Sequence, residues 1–112
     1  AADTEKNLEA AIASENASWT LRYEDFARIA REENCADIAS VFEGIAVAEK
    51  FHETRFEKLL ENLRKNRVFK KTASVKWHCM NCGYVTAETE APRHCPACRF
   101  PQAFYEVLAE NY

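Results

Sequence analysis

The sequence is poor in helix breakers over more than half its length. Residues 4–63 contain no proline and one glycine, Gly44, while Pro92, Pro96 and Pro101 all lie in the last quarter. The first segment is therefore expected to be helical, and the last to consist of loops and short strands. There is also no apolar run approaching the roughly 18 residues that cross a bilayer, which argues against a membrane partner. The opening residues Ala1-Ala2-Asp3-Thr4 lack the pattern of a secretory signal. The sequence has no initiator Met, so it reads as processed or as a piece of something longer. A basic excess is missing too: the net charge is −3, which is not a nucleic-acid-binding balance.

What is present is a globular composition, 47% hydrophobic and 29% charged, over 112 residues. That is enough for one ordinary domain or a small domain plus a partial one. Charge is unevenly spread. Residues 1–63 carry 14 acids and 7 bases, and residues 64–112 carry 4 acids and 8 bases. This split supports two segments, read as 1–66 and 77–112 joined by a basic linker over 67–76. It also suggests that the basic segment of one chain packs on the acidic segment of a partner chain.

In the first segment, Asp3 or Thr4 is a candidate N-cap, with Glu5 in the first turn. An apolar stripe at spacings of three and four (Leu8, Ile12, Trp19, Tyr23, Phe26, Ile29) predicts one helix from Thr4 to about Glu33. Asn34 fits a left-handed C-cap. A second stripe (Ile38, Phe42, Ile45, Phe56, Leu59, Leu63) predicts a helix from about Ala36 to Leu63. The short connection makes the pair an antiparallel hairpin.

Glu15, Glu49 and His52 interrupt these stripes. A buried carboxylate needs a partner or a metal. Measured from a turn near residue 34, at about 1.5 Å per residue, the three lie at heights of roughly 28, 22 and 27 Å. They share one level of the hairpin, and Glu49 and His52 share one helical face. Two readings follow: a buried Glu–His hydrogen-bonded group, or half of a di-metal carboxylate site of the kind found in four-helix bundles. Two hairpins would supply its four Glu and two His. Oxygen and imidazole donors suit iron or manganese. A two-helix hairpin cannot bury both its faces, so it needs a second one, from dimerisation or from a missing part of a longer chain.

Five cysteines are present, four of them in two CxxC pairs. This spacing reads as metal ligation in a reducing compartment, hence the cytoplasm, rather than as a disulfide framework. Cys79-Met80-Asn81-Cys82 and Cys95-Pro96-Ala97-Cys98 are two knuckles that place four thiolates around one metal. A segment of about 35 residues holds little core, so metal binding must organise it. Iron is favoured by Gly83-Tyr84, Pro96 and the aromatic set Trp77, Tyr84, Phe100 and Phe104. Zinc is the competing metal. His78 and His94 read as surface residues, and Cys35 as a free thiol at the helical turn.

Taken together, the chain resembles the rubrerythrin family. Trp77-His78-Cys79-Met80-Asn81-Cys82-Gly83-Tyr84, Ala91-Pro92 and Cys95-Pro96-Ala97-Cys98 resemble its rubredoxin-like domain. Thr4-Glu5-Lys6-Asn7-Leu8, Ser14-Glu15, the stretch Phe26 to Glu33 and the stretch Ile45 to Glu53 resemble one half of its di-iron bundle. The resemblance implies an all-α hairpin completing a ferritin-like four-helix bundle by dimerisation, plus a small rubredoxin-like metal-binding β/loop domain. It implies a di-iron oxo site with Glu15, Glu49 and His52 as ligands and Tyr23 nearby, and an FeS4 centre on Cys79, Cys82, Cys95 and Cys98. Zinc or manganese are possible substitutes.

The implied activity is reduction of hydrogen peroxide, with electrons from a redox donor protein passing through the FeS4 centre. The implied partner is a second copy or a higher oligomer. The alternatives are an electron-transfer or metal-binding module without peroxidase activity, and a zinc-ribbon interaction protein. Three positions depart from the family: Ser18 stands where an additional Glu is common, Arg99 where Gly follows the last cysteine, and Asn34 where Gly is common in the helical turn.

Overall fold

The computed structural model describes residues 3–112. It divides into two compact units, Ala1–Leu63 and Arg64–Tyr112.

In the first unit, α1 (Thr4–Ala17) starts on Asp3, whose side chain accepts the Lys6 N–H at 2.7 Å. It leads without a break into a π-helical turn, Ser18–Arg22, and then α2, Tyr23–Glu32. The single expected helix is thus interrupted by a wide turn. Glu15, Trp19 and Tyr23 are spaced four and four, so an ideal α-helix would drift by about 80° over the eight residues. The wider π turn absorbs that drift. Polar side chains occupy the loosened carbonyls: the Ser18 hydroxyl and the Arg22 guanidinium donate to Ser14 O at 3.0 and 3.1 Å, and the Thr20 hydroxyl to Asn16 O at 2.6 Å.

The α2 helix ends as expected on Asn34, which has φ 62°. Cys35 N–H bonds Ala30 O at 2.8 Å and Asn34 N–H bonds Arg31 O at 3.1 Å, the hydrogen-bond pair of a Schellman cap. Then α3 runs Ala36–Arg64. Near the turn, Ala27, Ala30 and Ala39 are buried, with Cys35 and Phe42 packed against them. Small side chains let the helices close there. The hairpin otherwise buries little: among the described residues, only Leu60 joins those alanines as a buried core residue of this unit, while Leu21, Ile38, Val41, Val47 and Phe51 are exposed. Among the described residues, no helix is long and apolar enough to cross a membrane.

The second unit is a three-stranded antiparallel sheet of order β2-β1-β3, with β1 Lys70–Cys79, β2 Val85–Glu90 and β3 Tyr105–Val107. Most of the expected linker 67–76 is therefore the first part of β1, and residues 64–66 group with the sheet unit. Charge obscured this strand. A strand needs only every second residue inside: Trp77 and Cys79 are buried and Val75 half-buried, while Lys76 is exposed between them. The core is Trp77, Cys79, Ala91, Cys95 and Tyr105, with Phe69, Val75 and Cys98 against it. The Trp77 indole N–H donates to Glu88 O at 3.1 Å, pinning β1 to β2.

Candidate metal centres

The two cysteine knuckles are built alike. In the first, Gly83 N–H bonds Cys79 O at 2.8 Å, and Cys79 N–H bonds Tyr84 O at 2.8 Å. In the second, Arg99 N–H bonds Cys95 O at 2.9 Å, and Cys95 N–H bonds Phe100 O at 2.8 Å. Each knuckle needs a left-handed residue after its second cysteine: Gly83 has φ 88° and Arg99 φ 69°. Glycine takes this conformation freely; Arg99 takes it at a cost.

One sulfur from each knuckle meets one from the other. Cys79 Sγ lies 3.7 Å from Cys98 Sγ, and Cys82 Sγ 3.6 Å from Cys95 Sγ. All four sulfurs fall within 4.8 Å of one another. Sulfurs bound about 2.3 Å from a central metal would be separated by about 3.8 Å, so the spacing fits a tetrahedral ion.

The electrostatics agree. Burial pushes the Cys95 thiol up, but the Cys98 N–H, the Tyr105 hydroxyl and the Ala97 N–H bring it down to about 6. The Asn81 side chain leads in lowering Cys98. At Cys82 the Tyr84 N–H favours the thiolate, yet desolvation and the three neighbouring sulfurs push it up to about 12. Without a cation the cluster cannot carry four negative charges; a metal removes that conflict. Tyr105, buried beside these sulfurs, is raised by desolvation first and by Cys95 second, so it stays a neutral phenol. His78 sits outside the cluster, 3.3 Å from Glu106 Oε1, and His94 is exposed.

The second group lies in the hairpin. The structure brings Glu15 from α1 together with Glu49 and His52 from α3, with donor atoms within 4.8 Å of one another. His52 Nδ1 is 3.2 Å from Glu49 Oε2 and 3.7 Å from Glu15 Oε2. Glu15 Oε2 is buried with no hydrogen-bond partner, so it is free to ligate a cation. Sharing a hydrogen bond with Glu49 raises Glu15 above the usual carboxylate range, and burial adds to this. The same hydrogen bond lowers Glu49; burial opposes, and His52 and Arg22 assist. The pair therefore releases its last proton at a higher pH than a lone carboxyl would, and a metal would favour that release. Three donors do not complete a coordination sphere, and the His52 side chain is 57% exposed.

Tyr23 lies just past the π turn, with its ring against Phe26 and Phe42 at centroid distances of 5.6 and 6.1 Å. Ser18 is hydrogen-bonded to Arg22, whose Nη2 donates to its hydroxyl at 2.8 Å.

Sequence reading missed the polar belt beside this group. Glu53, next to His52, accepts hydrogen bonds from the Trp19 indole and from Asn16 Nδ2, the latter at 3.1 Å. Lys50 stacks 5.3 Å above the Trp19 ring. The signal was available, because Asn16 and Glu53 lie at the same height from the turn, as Glu15 and His52 do. The belt fixes the rotation of α1 against α3 and with it the approach of Glu15 to His52.

Comparison with known proteins gives matches over both units. The family model described as Rubrerythrin matches residues 6–88, and that described as rubrerythrin, rubredoxin-like domain, matches residues 77–106. A rubrerythrin of Nitratidesulfovibrio vulgaris is 50% identical over 111 residues, covering 99% of this chain and 58% of that protein. Rubrerythrin-1 of Clostridium acetobutylicum is 46% identical over 110 residues, covering 98% of this chain and 56% of that protein. The chain thus spans little more than half the length of these relatives. Its fold is similar to a solved structure of nigerythrin in a partially reduced state, with a TM-score of 0.55 and 23% identity over 96% of this chain and 51% of that one.

Proposed function

The chain belongs to the rubrerythrin family, and on that premise we propose that it is a non-haem iron oxidoreductase that reduces hydrogen peroxide. The observation that carries this reading is the presence, in one chain, of a Glu15–Glu49–His52 group and a four-sulfur group, each with its donors gathered within 4.8 Å. We assign Glu15, Glu49 and His52 as ligands of a di-iron site, and Cys79, Cys82, Cys95 and Cys98 as ligands of an FeS4 centre. Bound iron supplies the electrons: the helical site for peroxide, the cysteine site for resupply from a redox donor protein.

The chain's own residues organise the helical side. Glu15 and Glu49 share a hydrogen bond, and a bound cation would offset the cost of charging both carboxyls. His52 Nδ1 faces both carboxylates. Glu53, held by Trp19 and Asn16, keeps α3 in register with α1. Tyr23 is assigned next to the site as a catalytic side chain, closing it toward the Phe26–Phe42 aromatic group.

The helical site is completed by a second hairpin, as a homodimer or higher oligomer or from a longer chain. Doubling the group gives four Glu and two His, the inventory of a di-iron bundle. The exposed apolar residues Leu21, Val47 and Phe51 are consistent with a face that is covered. Four cysteines gathered for a metal and Cys35 outside any disulfide suit a reducing, cytoplasmic setting.

Solution mass and iron per chain, measured together after anaerobic loading, test the assembly. The expected result is paired hairpins with about two irons per chain, one at each centre. About one iron per chain would reduce the protein to an electron-transfer module. The activity is tested by mixing reduced protein with peroxide without oxygen. Rapid loss of its electrons is expected; a rate no greater than that of free iron would overturn the peroxidase reading.

A further inference from the structure

Tyr105 is a buried polar residue that the proposed chemistry does not use. It opens β3 and lies directly opposite Cys79 on β1. Residues opposed across an antiparallel pair point to the same face of the sheet. That face is the sulfur-lined core, where Tyr105 is 3% exposed and Cys79 and Cys95 are fully buried. Its hydroxyl oxygen is inaccessible and lacks a hydrogen bond of good geometry. Carbonyls of other residues in this core cluster are engaged: Cys79 O by Gly83, Cys95 O by Arg99, and Ala91 O by the Gln102 side chain at 2.7 Å. A buried phenol without a well-formed hydrogen bond costs free energy, and the sulfur it influences within this core cluster is Cys95, whose thiolate it favours. A thiol sulfur is a poor acceptor, whereas a metal-bound thiolate carries the negative charge that makes a good one.

We propose that Tyr105 is a positioning residue for the four-cysteine centre, its hydroxyl donating to the Cys95 sulfur once that sulfur is a metal-bound thiolate. The inference rests on the proposed metal at the cysteines and extends it to an effect on electron affinity. When the iron form is reduced, one electron from an added reductant converts ferric to ferrous iron. No bond breaks, and the phenol keeps its proton. The reduced centre carries one more negative charge, spread over its sulfurs. An O–H donor to one of them stabilises the reduced state more than the oxidised state. Tyr105 therefore raises the reduction potential.

The test compares the wild-type chain with Y105F, both loaded with iron, by redox titration of the thiolate-to-iron absorption. At a fixed potential, the reduced-to-oxidised ratio of Y105F is expected to fall three- to tenfold. Tenfold corresponds to a shift of about 59 mV for one electron. The absorption band is expected to move to lower energy, because the Cys95 sulfur loses its donor. An unchanged potential and band would overturn the role of Tyr105 and leave the metal assignment standing. Failure of the wild-type cysteines to bind iron would overturn both.

A measurement on the wild type keeps the proposal testable if Y105F loads poorly. With a spin-active cadmium isotope at the four cysteines, the Tyr105 hydroxyl proton should exchange slowly and show coupling to cadmium through the Cys95 sulfur. A rapidly exchanging hydroxyl without that coupling would overturn the hydrogen bond.

Discussion

The sheet unit and the helical unit both gather metal-binding donors, but they stand at different stages of completion. In the sheet unit the four sulfurs are part of the core itself, with Cys79 and Cys95 buried beside Trp77 and Tyr105. Two matching turns aim them inward, and no further chain is needed to close a tetrahedron. In the helical unit three donors meet at one level of a hairpin that buries little else, and one of them, His52, is more than half exposed. The first geometry makes the metal part of folding. The second leaves the donor set open on its exposed side. One chain thus pairs a closed sulfur cluster with an open carboxylate–imidazole group.

The sharpest way to break this contrast is to remove a sulfur. Cys95→Ser should abolish metal at the small unit, where binding is worth on the order of 10 kcal/mol, and unfold its sheet. The helical signal in circular dichroism should persist. Helices that melt together with the sheet would show that the units are not independent.

The reciprocal change is His52→Ala. The thiolate-to-iron colour should remain, iron should fall from about two to about one per chain, and peroxide turnover should drop to that of free iron. Metal uptake at this centre should also weaken as pH falls through the carboxylate range, because the Glu15–Glu49 pair then keeps its proton. Metal titrations at several pH values would check this.

A smaller effect is expected from Trp19→Phe, which removes the indole N–H that holds Glu53. Loss of such a supporting hydrogen bond should weaken metal at the helical centre by about 10- to 100-fold and leave the cysteine centre untouched. Equilibrium metal titration of each centre separates the two.

The smallest effects are on stability. Arg99→Gly should stabilise the sheet unit by about 1 kcal/mol, because glycine occupies φ 69° without strain. Denaturant unfolding followed at Trp77 measures it. A Cβ at Gly44 would meet nothing within 4 Å inside the hairpin. Gly44→Ala should therefore strengthen α3 by up to about 1 kcal/mol, read by thermal unfolding of the helical signal.

Much of this architecture was legible in local patterns. The lack of breakers marked the helices, Asn34 marked the turn, and the CxxC spacing marked the sulfur cluster. These features depend on near neighbours, so the sequence carries them openly. Equal distance from the turn brought Glu15 to Glu49 and His52, because the rise per residue of a helix is constant. The rubrerythrin likeness came from motif order, and the family match bears it out.

Other features were decided only in three dimensions. The strand Lys70–Cys79 was hidden by its lysines, since one buried face suffices and charge on the other does not prevent pairing. The π turn arose from a mismatch between residue spacing and helical pitch that hydroxyl and guanidinium groups could satisfy. The hold of Trp19 and Asn16 on Glu53, and the placing of the Tyr105 hydroxyl among the sulfurs, join residues 34 to 37 apart in one case and residues on separate strands and loops in the other. Spacing fixes which residues share a face; only packing fixes which faces meet, and polar partners are chosen there.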